Sequence, residues 1–566
     1  MAALLLGFAA ALVSVAWKTG VTIDEPPHLL SAHLYWQGED NLVPGDMPPL
    51  IKMTGGWVPH LFGLPVPYDD AGLWKSRSEW DIAVRMMDRL RAPLLQRVFF
   101  FSRLPLLIFP LLTCFTLWWW AHQLYSPKTA LWAAAFFCLL PGVLGHGALF
   151  KNDLAASFGF LLFWYRAWVY WRGPSVRNAA WLSGGLLIAI LAKMSMLILL
   201  PAAVAVLLSR QCVEGSLRWK KFALAVGAGF LILWCGAAVA WQFRISTVRE
   251  VELNAWQSDA RIPGWIPEVA RVAGGVVPTP QRLREGAISL VQSNASATSV
   301  YLLGNVYPEG HPLYFLVALA AKAPLPLLAL LSLAGILWAV AAWRRTLAWS
   351  DLFWSFPPLL YLVLASLSSL QLGYRLILPS VVFFVLWTAF AIERFPWRRA
   401  VPAVAAAALI WMAGRAVAQY PHYISSFNRL AGGSNQGLRY LSDSNLDWGQ
   451  DLPSLAEYLE RSRISKLRLA YFGMDNPYAY VSDQQVESIA PPWADHFARG
   501  LVFEPEPGYY AISATLLTGQ LFAPKYRDYF RKFRESEPIA KAGYSIFVYK
   551  VPSAAGVGSN SISRSE

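Results

Sequence analysis

Asp24 and Glu25 stand side by side in the stretch Thr22-Ile-Asp-Glu-Pro-Pro-His28, directly after an apolar run over residues 1–17. Carboxylates beside a lipid surface are expensive to keep and mark sites that are used. One carboxylate can take the proton of a hydroxyl as it attacks an electrophilic carbon. Two adjacent ones can divide the work, one as base and one as metal ligand or orienting group. The same residues also suit a helix start, since acids favour the first turn and Pro26 the first helical position. Asp153, which closes Phe150-Lys-Asn-Asp and precedes the apolar run 154–163, is the second candidate acid. Helix capping is the alternative use for it.

A set of cations accompanies these acids. Lys193 lies between two apolar runs, Lys322 sits in Ala320-Ala-Lys-Ala-Pro-Leu-Pro, and Arg375 opens an apolar run in Gly373-Tyr-Arg-Leu-Ile-Leu-Pro379. Lys52 follows the rigid turn Met47-Pro-Pro-Leu50. Cations in such places must snorkel to headgroups or meet an anion. A lipid-linked phosphate is such an anion, and ammonium and guanidinium groups would stabilise it as it leaves. His28 and His146 are candidate ligands or hydrogen-bond partners, although a lone histidine is more often structural. No cysteine or histidine cluster has zinc spacing. No phosphate-cradling glycine loop or dinucleotide fingerprint is present, so neither a nucleotide-sugar site nor ATP-driven transport is supported.

The elements that must position these groups are membrane helices. The chain of 566 residues is 56% hydrophobic and 15% charged, with 27 tryptophans and a mean hydropathy of +0.39. Soluble domains carry about a quarter charged residues, and tryptophan anchors helices at membrane interfaces. The net charge of +13 is concentrated in short loops between apolar segments, where it sets topology and attracts anionic lipid. No nucleic-acid recognition module is visible, and nucleic acid is not an expected partner. Cys114, Cys138, Cys212 and Cys235 lie outside the long polar regions, so an exported disulfide framework is not expected. The opening run lacks a basic n-region and a clear small-residue cleavage site, and reads as a retained first helix.

About eleven segments are candidates to span the bilayer: 1–17, 99–121, 129–145, 153–171, 179–192, 195–209, 222–242, 313–342, 351–369, 375–393 and 400–419. The pair over 179–209 is short for two spans, and one long helix there would reverse everything downstream. Arg172 and Arg177, then Arg210, Arg218, Lys220 and Lys221, then Arg344 and Arg345, then Arg394, Arg398 and Arg399 fall in alternate loops. The positive-inside rule makes these loops cytoplasmic, which puts loops 18–98 and 243–312 and everything after 420 outside. The expected organisation is a transmembrane domain over 1–419, a small extracytoplasmic α/β domain over 420–555, and a disordered tail over 556–566. In the second unit, helical spacing marks Asp451–Arg461, strand-like alternation marks 466–472, 509–516 and 544–551, and a basic aromatic helix is expected over 526–533. No internal repeat is apparent.

These residues match a known pattern. The chain resembles the family-39-like glycosyltransferases of the GT-C superfamily, which includes protein O-mannosyltransferases and lipid A aminoarabinose transferases. The resemblance is carried by Asp24-Glu25 with His28, Pro48-Pro49-Leu50 with Lys52, Asp153, and Arg375 with Leu378-Pro379. A bacterial branch is suggested by Tyr301-Leu-Leu-Gly304 with Gly310, Tyr314-Phe315, Lys322-Ala-Pro324 and the segment Asp443-Ser-Asn-Leu-Asp-Trp-Gly-Gln-Asp451. The resemblance implies a GT-C-like, mainly α polytopic membrane protein of the bacterial cytoplasmic membrane with an outward-facing active site. It implies a polyprenyl-phosphate sugar as donor, an acceptor hydroxyl on protein, lipid or glycan, and a single inverting displacement. Asp24 would be the base, with Glu25 and Asp153 assisting through acceptor contacts or a divalent cation such as magnesium or manganese. Lys52, Lys193, Lys322 and Arg375 would hold the carrier phosphate, and His28 and His146 would touch acceptor or sugar. Met47 departs from the His or Lys common in relatives, which weakens the case for phosphate binding at that turn. The resemblance leaves the 443–451 segment open between sugar binding and helix capping. The rival class is a transporter or flippase for a lipid-linked sugar, which usually shows repeated helical units.

Overall fold

The computed structural model describes residues 1–43, 47–91, 93–213, 219–275, 277–296, 298–394 and 400–553. The expected tail 556–566 and the side chains of Arg218, Arg398 and Arg399 lie outside that set. The chain is mainly helical, and each apolar stretch contains helix. Among the described residues, five helices are long and apolar enough to cross a bilayer: Leu94–Leu124, Phe222–Ala240, Leu325–Trp343, Tyr374–Arg394 and Pro402–Gln419. The pair Trp349–Ser355 and Pro357–Leu367, bent by 42°, makes a sixth if taken as one span. Ala2–Lys18, Val176–Ala192 and Met194–Arg210 are shorter apolar helices. The protein is therefore a multi-pass membrane protein.

Several expected spans are broken, and proline is the usual cause. The run 129–145 divides into Pro127–Cys138 and Pro141–His146, 313–342 into Tyr314–Lys322 and Leu325–Trp343, and 351–369 at Phe356. Pro141 and Pro357 stand at first helical positions and Pro324 just before one, where a missing N–H costs nothing but a continuing helix is interrupted. The 179–209 stretch is two helices. The first, Val176–Ala192, ends at Lys193 in extended backbone (φ −156°, ψ 131°) before a 3-10 turn over Met194–Ile198.

The helix Leu378–Arg394 is buried on almost all sides, from Leu378 through Ile392. It packs against Asp153–Arg172, Leu325–Trp343, Pro127–Cys138 and Pro357–Leu367. A helix apolar all round is at home in such a position. The loop 18–98 is itself largely helical. Glu25–Gln37 is its centre, and Glu79–Arg89 packs on it through Ile82, Ala83, Met86 and Met87. Cys114, Cys138 and Cys235 are free thiols, with the first two sulfurs 3.5 Å apart.

The C-terminal region contains a five-stranded sheet: β1 Leu467–Ala470, β2 Val486–Ser488, β3 Gly508–Ser513, β4 Ala540–Ala542 and β5 Ile546–Val551. The order is β2-β1-β3-β5-β4, with β1 parallel to β2 and β3 and the other pairs antiparallel. The helix Leu452–Ser462 covers one face through Leu452, Leu455 and Leu459, packed on Leu467, Leu469, Ala511 and Val548. The other face joins the main core through Tyr510, Ile512, Phe547 and Tyr549. The helix expected over 526–533 does not form as one piece; a 3-10 turn Pro524–Tyr526 and a short helix Arg531–Arg534 stand there. Tyr526, Tyr529, Phe530 and Phe533 are all buried, against Phe503 and Tyr510 among others, so their spacing records an aromatic core rather than a continuous helix.

Candidate functional site

Pro26 and Pro27 start the helix Glu25–Gln37, and Asp24 occupies its N-cap position without a side-chain cap bond. Its carboxylate turns instead to Lys151 Nζ at 2.8 Å and Arg375 Nη2 at 3.3 Å. Asp153 is the first residue of the helix Asp153–Arg172 and likewise does not cap it. It accepts from Lys193 Nζ at 2.7 Å, and its other oxygen lies 3.6 Å from Arg375 Nη1. Arg375 thus bridges the two acids. His28, one turn along from Asp24, places Nε2 3.3 Å from Lys151 Nζ. Burial first, and then the Lys151 ammonium, hold the His28 imidazole well below its usual pKa, so it faces that ammonium as a neutral acceptor. Burial alone would raise the Asp24 carboxyl, but Lys151 and Arg375 outweigh it and hold it at about 2.

Helix ends bring these groups together. Arg375 stands two residues after Gly373, whose φ of +118° is open to glycine but strained for other residues. A Cβ there would also collide with Ser444 Oγ. Lys193 reaches Asp153 because the helix Val176–Ala192 stops at that residue. Lys193 also lines an apolar cleft of about 430 Å³ with Ile198, Leu290, Phe315, Tyr361 and Leu376. Lys193 is thus common to the cleft and the charged cluster.

The segment 443–451 closes the site from the C-terminal side. The Trp448 ring lies 4.4 Å from the Arg375 guanidinium and 5.5 Å from Lys151 Nζ, within cation–π range of both. Arg375 Nε donates to Ser444 Oγ at 3.2 Å. Asn445 Oδ1 accepts from the Tyr374 amide at 2.8 Å, and its amide nitrogen donates to Tyr314 Oη at 2.9 Å. On the other flank, Ile23 N donates to Trp448 O and Gly20 N to Gln450 O. The same nine residues therefore hold both the Asp24 loop and the Arg375 loop. The capping expectation for this segment is not met: Asp451 precedes the helix Leu452–Ser462 without capping it and pairs with His422 at 2.9 Å. Asp443 stands beside the cluster, its carboxyl pushed up to about 6 by burial and by Asp24, against the pull of Arg375.

Other expected site residues lie elsewhere. Glu25 points away from Asp24 and is fully buried. It makes a two-pronged pair with Arg103 at 2.8 and 2.7 Å and accepts from the Thr22 and Phe150 amides. Lys52 pairs with buried Asp40 at 2.6 Å. Lys322 spends all three protons on the carbonyls of Ile424, Ser426 and Asn445, at 2.9, 3.0 and 2.5 Å. His146 packs edge-on to Trp448 at 5.6 Å, and its Nδ1 is buried without a hydrogen-bond partner. The partners of Glu25, Lys52 and Lys322 share one cause: a buried charge takes the nearest complementary partner, and sequence does not say which that is.

Residue type alone does not single out Lys151, Arg103 or Ser444 as site or support residues, and Trp448 enters the sequence reading only as part of the 443–451 segment. Arg103 carried a usable signal, a lone cation in an apolar stretch, the same one that singled out Lys322. A divalent cation does not fit this arrangement, because Glu25 is turned to Arg103 and the other two carboxylates are engaged by Lys151, Lys193 and Arg375. Among the described residues no group of three or more His, Cys, Asp or Glu is placed to hold a metal.

No family model and no curated protein matches the chain. Solved structures similar to it include ArnT from Cupriavidus metallidurans in the apo state, 14% identical over 97% of both chains with a TM-score of 0.45. ArnT from the same organism bound to undecaprenyl phosphate is 14% identical over 97% of both chains, with a TM-score of 0.33. The oligosaccharyltransferase of Archaeoglobus fulgidus in the apo form is 12% identical, over 90% of this chain and 69% of that one, with a TM-score of 0.42.

Proposed function

We propose that the protein is an integral membrane glycosyltransferase of the GT-C type. It moves a sugar from a polyprenyl-phosphate donor onto an acceptor hydroxyl, with Asp24 as base. The observation that carries this reading is that Lys193 both lines the apolar cleft and belongs, through Asp153, to an ion-pair cluster with Arg375, Asp24 and Lys151. The cleft suits a polyprenyl chain, and the cations suit the phosphate at its end. Asp24 takes the acceptor's proton as the hydroxyl oxygen attacks the anomeric carbon. The bond from that carbon to the phosphate oxygen breaks, and the anionic phosphate is retained by Arg375 and Lys193. Asp153 holds Lys193 and Arg375 in place.

The same cations explain how a carboxylate held so low can act as a base. A bound phosphate competes with Asp24 for Arg375 and Lys151, and each contact it wins returns basicity to Asp24. Sugar transfer is thereby coupled to donor occupancy. Glu25 becomes a positioning residue through Arg103, and Lys52 and Lys322 become structural. The reaction side follows from the helix ends. Asp153 and Arg172 close opposite ends of a helix about 30 Å long, as do Arg375 and Arg394 of theirs. The positive-inside rule assigns Arg172 and Arg394 to the cytoplasm, so the cluster and the C-terminal region face outward. The test is purified protein in lipid with a labelled polyprenyl-phosphate sugar and candidate acceptors. Transfer by the native chain and its loss in Asp24→Asn is the expected result; undiminished transfer by that variant removes Asp24 from the reaction.

A further inference from the structure

The C-terminal region carries a second cleft, of about 420 Å³, which shares no lining residue with the apolar one. Arg439, Arg534 and Lys541 line it, with Glu537 the one acid among its lining residues. Arg534 is claimed by Asp528. Arg439 is exposed and has neither an ion pair nor a hydrogen bond among the described residues. Lys541 donates to Asn435 O at 2.6 Å and lies 4.2 Å over the Phe547 ring. Burial and the nearby Arg439 charge push the Lys541 ammonium below its usual pKa. Two like charges are thus held close with no acid assigned to either, an arrangement an incoming anion relieves.

The floor of this cleft supplies a second observation. Tyr301 and Tyr549 line it, the residues only 9% and 3% exposed. Buried tyrosine hydroxyls usually find a partner, yet neither has one among the described residues. Neither hydroxyl is fully enclosed, so both keep some access to solvent on residues that line the cleft. A lone anion would use the cations and leave the phenols idle; a polyhydroxylated anion uses both.

We propose that this cleft binds an anionic glycan, its carboxylate or phosphate on Arg439 and Lys541 and its ring hydroxyls on Tyr301 and Tyr549. The volume falls in the range of small-ligand sites. Nothing in this assignment needs the transferase reading. The wall of the cleft continues from Arg439 through Tyr440, which accepts from Leu303 N, to Asp443 and the segment on Arg375, so glycan binding and the charged cluster share one stretch of chain.

The test is calorimetric titration of the full chain in nonionic detergent with tetragalacturonate, maltotetraose, inorganic phosphate and phosphatidylglycerol micelles. Tetragalacturonate is expected to bind at least about tenfold more tightly than maltotetraose, with affinity falling as salt rises. Arg439→Gln touches no internal partner and keeps the thermal midpoint; it should weaken tetragalacturonate by about tenfold. Tyr549→Phe should weaken tetragalacturonate several-fold and leave phosphate unchanged. No binding, equal binding of maltotetraose, or an unaffected Arg439→Gln would overturn the proposal. Phosphate displacing the oligosaccharide at equal concentration would reduce the cleft to an anion patch, and equal displacement by phosphatidylglycerol would make a lipid headgroup its ligand; either result rejects the glycan.

Discussion

Asp24 and Glu25 are adjacent carboxylates on one helix start, yet the regions they enter are opposites. Around Glu25 every donor is internal: Arg103 gives it two bonds and spends the rest of its N–H groups on the carbonyls of Ala16, Thr19 and Gly20. Around Asp24 the partners are shared, since Arg375 also faces Asp153 and stacks on Trp448. A saturated pair fixes the chain, whereas an over-subscribed cation can exchange partners with a ligand. The same contrast separates Lys322, fully bonded to carbonyls, from Lys193, which opens to the apolar cleft.

The contrast breaks first on the two acids. Asp24→Asn should lower the transfer rate by about 10²–10⁴-fold while lowering the thermal midpoint less than Glu25→Gln does, because Arg375 keeps Asp153 as a partner, measured by single-turnover transfer and by melting in detergent. Glu25→Gln should instead destabilise the protein by about 3–5 kcal/mol, because it leaves the Arg103 charge buried and unpaired. A Glu25→Gln protein of native midpoint would erase the distinction. Next comes Trp448→Leu, which removes a ring worth about 2 kcal/mol to a desolvated guanidinium. It should raise the donor KM by tens of fold, with Trp448→Phe recovering part of the loss. An unchanged KM would mean that Trp448 only fills space.

The smallest effect separates the two regions by pH. Burial pushes the Asp447 carboxyl up to about 8 and the Asp475 carboxyl to about 7. Burial would lower His422, but its bond to Asp451 raises it. In all three the folded state holds protons more tightly than the unfolded one, so stability falls as pH rises. The two carboxyls contribute fully below about pH 4 and lose that contribution as pH climbs through 7 to 8. The thermal midpoint should therefore drop between pH 5 and pH 9, and Asp447→Asn should flatten the slope. A slope unchanged by that substitution would place the titrating group elsewhere.

Much of the site could be read from residue type and place. Asp24, Asp153, Lys193 and Arg375 are charges that an apolar neighbourhood makes costly, and the structure gathers them at one set of helix ends. The same rule singled out Glu25, Lys52 and Lys322, which found private partners in Arg103, Asp40 and three carbonyls. Cost identifies a buried charge but not the group that compensates it. Lys151 and Trp448 carried weaker signals, one in a short loop and the other in a segment over 270 residues farther along the chain. The short strands Val486–Ser488 and Ala540–Ala542 also escaped notice, because three residues are too few for alternation to show.

By itself the sequence determined that this is a helical membrane protein, with acids and cations set at helix ends and an α/β region beyond the last apolar helix. Hydropathy, proline placement and basic loops are local properties, and they decide such matters without long-range information. Only the tertiary structure decided which carboxylate of the adjacent pair joins the Lys151 and Arg375 cluster. That choice depends on the position of Arg103, 78 residues away from Glu25, and of Lys151, 127 residues from Asp24. Ion pairs are set by proximity in space, and proximity is what folding supplies.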